Sequence, residues 1–130
     1  MPYRERLLAA AQEARERAYA PYSKFTVGAA LETTDGTIVA APNVENASYG
    51  LTMCAERNAI ARAVAEGHRE FRAIAVAGPE GALTAPCGAC RQVIAEFHPG
   101  MPVLFTGPDG VVETTIDELL PHSFGPHSFV

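Results

Sequence analysis

Lysine is almost missing from this chain. Lys24 is the only one, and ten basic side chains face fifteen acidic ones for a net charge of -5. A protein that grips nucleic acid through phosphates needs clustered Lys and Arg, and here they are few and scattered. Long apolar runs are missing too. No stretch approaches the roughly 20 residues of a membrane helix. The opening Met1-Pro2-Tyr3-Arg4-Glu5-Arg6 turns charged before any apolar run, unlike a signal peptide. The expectation is a cytoplasmic protein with neither membrane nor nucleic-acid partners. Cysteine is scarce and odd in number, at three, which speaks against a disulfide framework. In a reducing compartment such thiols are buried, catalytic or bound to metal. No repeat, low-complexity tract or linker interrupts the chain. Its 130 residues make one domain and leave no room for a separate dinucleotide-binding fold. Hydrophobic residues at 48% against 19% charged support a packed core.

Periodicity places the elements. Residues 5–19 read as a helix, with Leu7, Ala11, Ala14 and Ala18 at helical spacing, ended by Pro21. Phe25 to Leu31 alternates, Thr34-Asp35-Gly36 turns, and residues 37–40 return, which predicts a β-hairpin. Residues 42–52, rich in Asn, Ser and Gly, read as a loop. Residues 54–66 form an Ala-striped helix stopped by Gly67. Residues 73–77 and 103–105 are short apolar strands buried on both faces, with a helix over 88–97 between them. A turn at 107–110 leads to a strand at 111–113, and Thr115 caps a final helix over 116–120. The order α-β-β-α-β-α-β-β-α predicts an α/β fold: a three-layer α/β/α sandwich around one mixed five-stranded sheet.

The cysteines fall where chemistry wants them. Cys54 opens the second helix, and Cys87 and Cys90 bracket Gly88-Ala89 at the start of the third. Two thiolates with a two-residue spacer reach one Zn²⁺. Helix N-termini favour thiolate over thiol. Three protein ligands leave one tetrahedral position open, as in catalytic zinc sites. Glu56 stands two residues after Cys54, near the metal without being a ligand, where a carboxylate can carry protons. A ligand, one residue, a Glu, then Pro-Cys-x-x-Cys is the documented motif of zinc deaminases. Here it reads Cys54-Ala55-Glu56 and Pro86-Cys87-Gly88-Ala89-Cys90. Competing readings are a redox dithiol, which leaves Cys54 unexplained, and a closed structural site, which needs a histidine from His68, His98, His122 or His127.

Over nearly its whole length the sequence resembles the small three-cysteine cytidine deaminases. The landmarks are Ala20-Pro21-Tyr22-Ser23-Lys24-Phe25, Val27-Gly28-Ala29-Ala30-Leu31 and Asn43-Val44-Glu45-Asn46-Ala47-Ser48-Tyr49-Gly50. Cys54-Ala55-Glu56-Arg57, Pro86 to Gln92 and Leu119-Leu120-Pro121 complete them. The resemblance implies a single cytidine deaminase-like domain over residues 1–130 that deaminates cytidine and 2′-deoxycytidine in pyrimidine salvage. It implies one Zn²⁺ per chain on Cys54, Cys87 and Cys90, with Glu56 as the catalytic proton shuttle. Asn43 and Glu45 would bind the ribose hydroxyls, Phe25 would pack on the pyrimidine, and Ala55 would line the substrate site. It also implies a homotetramer with shared active sites, to which Ala47, Tyr49 and Phe124 contribute.

The residues add their own arguments. Three thiolates on Zn²⁺ total minus one, which weakens its effect on bound water, so the helix dipoles and Arg57 are candidates to withdraw charge. By itself Phe25 reads as core, and the competing reading of Arg57 is a surface ion pair. At about 3.3 Å per residue, an extended loop sets Glu45 and Tyr49 too far apart to line one small pocket. The remaining rivals are a deaminase of another aminopyrimidine nucleoside, a tRNA- or DNA-editing deaminase, which the negative charge disfavours, and a non-catalytic zinc-binding module, against which Glu56 argues.

Overall fold

The first helix stops short of where its apolar spacing points. The computed structural model describes residues 2–129. Helix α1 spans Pro2–Arg15, with Leu7, Ala11 and Ala14 fully buried on the sheet. Beyond it the amides of Glu16, Arg17 and Ala18 bond three residues back, a tightened last turn. Tyr19 then leaves the helix altogether. Its N–H donates to the Asn43 carbonyl at 3.1 Å and its carbonyl accepts from Glu45 N–H at 2.8 Å. Pairing with a segment distant in sequence ends the helix before Pro21 does.

Strands β1 (Gly28–Thr33) and β2 (Ile38–Pro42) form the expected hairpin. Gly36, at φ +91, makes the turn that a side chain would strain. β1 is central rather than half-solvated, and every residue in it is buried. Ala29 packs towards α2 (Ala55–Ala65), while Ala30 packs towards α1. Phe25 to Val27 lie outside the strand. β3 (Phe71–Ala77) pairs antiparallel with β1 and parallel with β4 (Pro102–Gly107), the two linked by α3 (Gly88–Phe97). β5 (Gly110–Thr115) closes the edge antiparallel to β4, and α4 (Ile116–Leu119) follows. Thr115 stands at the start of α4, but its side chain makes no capping bond.

The sheet is five-stranded and mixed, in the order β2-β1-β3-β4-β5. An Ala-rich layer with Leu7, Ala11 and Leu104 lies under α1. The larger core of Leu31, Ile60, Ile74, Ile94, Met101 and Val103 lies under α2 and α3. This is the three-layer α/β/α arrangement, with α2 and α3 side by side on one face.

Gly28 sets how close α1 comes to β1. A Cβ there would overlap the Ala11 carbonyl oxygen and the Arg15 amide nitrogen, and stand 3.0 Å from the Arg15 Cα. Backbone atoms cannot yield as a side-chain tip does. Gly28→Ala is therefore expected to destabilise by about 3 kcal/mol. Thermal unfolding should report it as a fall in Tm on the order of 10 °C, and an unchanged Tm would refute this close approach.

Candidate active site

Two helix N-termini converge on the cysteines. Cys54 is the N-cap of α2 and Cys87 the N-cap of α3, both in extended backbone conformation. Neither sulfur bonds to its helix's N–H groups, so both remain available to each other. Cys90, in the first turn of α3, is fully buried. The Cys54 and Cys87 Sγ atoms are 3.9 Å apart, and all three sulfurs lie within 4.8 Å of one another. A tetrahedral zinc with sulfurs at about 2.3 Å needs them about 3.8 Å apart, so the trio fits one Zn²⁺. Among the described residues no histidine or carboxylate joins this group. The closed four-ligand alternative therefore has no support there.

The surroundings favour negative charge on the Cys54 sulfur. Cys54 is pulled down to about 5, first by a hydrogen bond from the Cys90 thiol, with Arg57 adding to it. The same hydrogen bond and burial push Cys90 up. The Arg57 Nη2 lies 3.5 Å from Cys54 Sγ, and its buried Nε has no hydrogen-bond partner. Arg57 faces the thiols rather than a surface carboxylate. Contact with Cys54 raises its own pKa further. Glu56 is buried in the first turn of α2, and that burial raises its carboxyl above the ordinary range.

A cleft of about 260 Å³ opens over these groups. Cys54, Ala55, Glu56 and Cys87 line it together with Phe25, Asn43 and Glu45. Phe25 is 41% exposed and forms a wall of the cleft, not part of the core. Asn43 is buried and ties that wall down with one bond from each side-chain function: Oδ1 accepts from Val27 N–H at 3.0 Å, and Nδ2 donates to the Phe25 carbonyl at 2.9 Å, which leaves a second Nδ2 hydrogen and a second Oδ1 lone pair. Glu45 Oε1 accepts from the N–H groups of Tyr22 and Ser23 at 2.9 and 3.1 Å.

Ala47, Tyr49 and Phe124 do not line this cleft. Tyr49 borders an adjoining one of about 330 Å³, and Glu45 borders it too. The expectation that the loop holds these two residues too far apart is therefore wrong. Val44 pairs with Met53, and a 3₁₀ turn at Tyr49–Leu51 folds the loop back on itself. Phe124, 63% exposed, lies on the surface, with its carbonyl accepting from Gln92 Nε2 at 2.8 Å.

Comparison with known proteins places this geometry. Residues 1–106 match the family model described as the cytidine and deoxycytidylate deaminase zinc-binding region. The chain belongs to this deaminase family. It is 53% identical to a cytidine deaminase of Sporosarcina psychrophila over 92% of its own length and 90% of that protein's. It is 49% identical to the cytidine deaminase of Halalkalibacterium halodurans, over 93% of each chain. The crystal structure of cytidine deaminase from Burkholderia pseudomallei superposes with a TM-score of 0.88 at 52% identity, covering 92% of this chain and 98% of that one. This deaminase is a zinc enzyme, and its cysteine trio suits one Zn²⁺ per chain.

Reading the sequence missed part of the deaminase's cleft. Ser23, Thr52, Leu83, Thr84 and Ala85 also line it. Ser23 stands within a landmark segment but carried no assigned role. The stretch from Leu83 to Ala85 gives no motif. It is brought in by β4, because Thr84 N–H donates to the Thr106 carbonyl at 2.9 Å and Gly78 N–H to the Thr106 hydroxyl at 3.0 Å.

Proposed function

We propose that this deaminase hydrolyses cytidine and 2′-deoxycytidine to uridine and 2′-deoxyuridine, releasing ammonia, and that residues 1–130 work as one domain. The observation that carries the reading is a buried carboxyl, Glu56, beside a three-thiol cluster under a cleft walled by Phe25, Asn43 and Glu45. Cys54, Cys87 and Cys90 would hold zinc, whose Lewis acidity activates water for attack. Glu56 takes a proton from the attacking water and delivers it to ring N3, which makes C4 electrophilic. Oxygen then bonds to C4. Glu56 next takes the proton of the new C4 hydroxyl and passes it to the amino group, and as the C4–N bond breaks the C4 carbonyl forms and ammonia leaves. A carboxyl whose burial raises its pKa suits both uptake and release. Phe25 packs against the base, while Glu45 and Asn43 meet the sugar hydroxyls. Arg57 and the two helix dipoles withdraw charge from the sulfurs and keep the metal acidic.

The deciding assay measures ammonia release from cytidine, deoxycytidine, cytosine and CMP. Both nucleosides should turn over well. Cytosine, lacking the sugar that Glu45 and Asn43 recognise, should fall by about 100-fold or more in kcat/KM, the scale of two or more lost polar contacts. Equal use of cytosine would remove the nucleoside reading, and no ammonia from any of the four would favour a non-catalytic module.

Shared sites in a homotetramer are part of the same proposal, as is a cytoplasmic role in pyrimidine salvage. Tyr49, Leu51, Phe124 and Phe129 expose large apolar side chains on this protomer, 75%, 67%, 63% and 81% respectively, a pattern that suits burial between copies. Ala47, Tyr49 and Phe124, which do not line their own zinc cleft, are available to a neighbour's. No described helix is long and apolar enough to cross a membrane. The test mixes inactive Glu56→Gln chains with impaired Tyr49→Ala chains after dissociation and reassembly. Sharing predicts recovered activity, because some sites take Glu56 and Tyr49 from different chains. No recovery in verified mixed tetramers would defeat it.

A further inference from the structure

Ser23 sits where the two walls of the cleft meet. Its hydroxyl donates to Glu45 Oε2 and accepts from Phe25 N–H at 3.0 Å. Its own N–H, with that of Tyr22, donates to Glu45 Oε1. One residue thus touches both carboxylate oxygens of Glu45 and the backbone of Phe25. The turn carrying it is unusual. Lys24 has φ 62, a left-handed conformation that residues with a Cβ rarely adopt. The turn closes through Lys24 N–H on the Ala20 carbonyl at 3.1 Å. Such a backbone persists where its surroundings hold it in place, and the Glu45 carboxylate supplies three of the bonds that do so here. These bonds also hold the Glu45 carboxyl below its ordinary range, with the Ser23 hydroxyl as the largest cause.

We propose that Ser23 is a positioning residue for sugar recognition: its hydroxyl fixes the rotamer of the Glu45 carboxylate and ties it to the Phe25 wall. This rests on the proposed role of Glu45 towards the ribose hydroxyls. A free carboxylate on a flexible side chain must be ordered when the nucleoside arrives, and that ordering weakens binding. Ser23 performs it beforehand. Removing the hydroxyl therefore weakens recognition of the sugar hydroxyls and leaves the chemistry at C4 intact.

The experiment compares cytidine with 2′,3′-dideoxycytidine, whose sugar lacks the diol, in the wild type, Ser23→Ala, Ser23→Thr and Glu45→Ala. The readout is the ratio of kcat/KM for the two substrates. Ser23→Ala should lower the wild-type preference for cytidine about tenfold, the scale of one hydrogen bond to a charged group. The change should lie in the KM for cytidine, with kcat little altered. Ser23→Thr keeps a hydroxyl and should restore the preference. Glu45→Ala should lower it further than Ser23→Ala, leaving only the part that Asn43 supplies. A loss spread equally over both substrates in Ser23→Ala, as general damage to the fold would give, overturns the proposal. So does an unchanged ratio in Ser23→Ala while Glu45→Ala lowers it. An unchanged ratio in Glu45→Ala overturns the sugar role of Glu45 itself, and the role of Ser23 with it.

Discussion

Glu56→Gln is expected to lower kcat by about 10⁴-fold while zinc stays at one per chain. Removing a general acid-base typically costs about 10²–10⁴, and here one residue is assigned several successive transfers, which places the effect at the top of that range. Gln matches Glu in size, so the buried first turn of α2 and its Ala55 and Ala59 neighbours stay packed. The cysteines are untouched, so the metal remains. What disappears is a group that takes and gives protons. Steady-state kinetics with cytidine, alongside metal analysis of the same preparation, tests this. Turnover near the wild-type value would remove Glu56 from the mechanism. Loss of zinc together with turnover would turn the effect into one of metal binding.

Cys87→Ala should cost the metal itself. Two sulfurs and no nearby histidine would remain among the described residues. Even outer partners of zinc ligands change affinity 10–100-fold when removed, so loss of a direct ligand should weaken zinc by more than about 100-fold. Activity falls with it. The fold should survive, because Cys87 caps α3 by position only and its sulfur bonds to none of the helix's N–H groups. The metal-free variant should therefore unfold like metal-free wild type, with the same far-ultraviolet circular dichroism. Full zinc occupancy in Cys87→Ala would rule this residue out as a ligand. The same preparations carry an alkylation test: with zinc bound to the wild type, Cys54, Cys87 and Cys90 should resist reagent together, and chelation should expose the thiols.

The elements and the three-thiol cluster are legible in the residues alone, because both are written locally. Cys54 and Cys87 each fall one residue before an apolar helical stripe, and Cys90 falls one turn into the second. Once those helices form, the residues stand at N-termini, and a two-residue spacer turns two of them to one side. The apolar strands at Ala73 to Ala77 and Val103 to Phe105, separated by a helix, likewise pointed to one mixed sheet, and the structure pairs them in parallel. How the cleft is walled depends instead on contacts between distant segments. The tertiary structure ended α1 at Arg15, because Tyr19 pairs with Val44 in a distant loop. It folded that loop through the Val44–Met53 bridge, so that Glu45 and Tyr49 border one cleft. It moved Phe25 from apparent core to exposed wall, held there by Asn43, and it brought in Thr84 through Thr106. Periodicity reports which face of an element is apolar, and spacing reports what one turn can bring together. Neither carries information about hydrogen bonds between loops far apart in the chain, which form only after the sheet and helices have set those loops side by side.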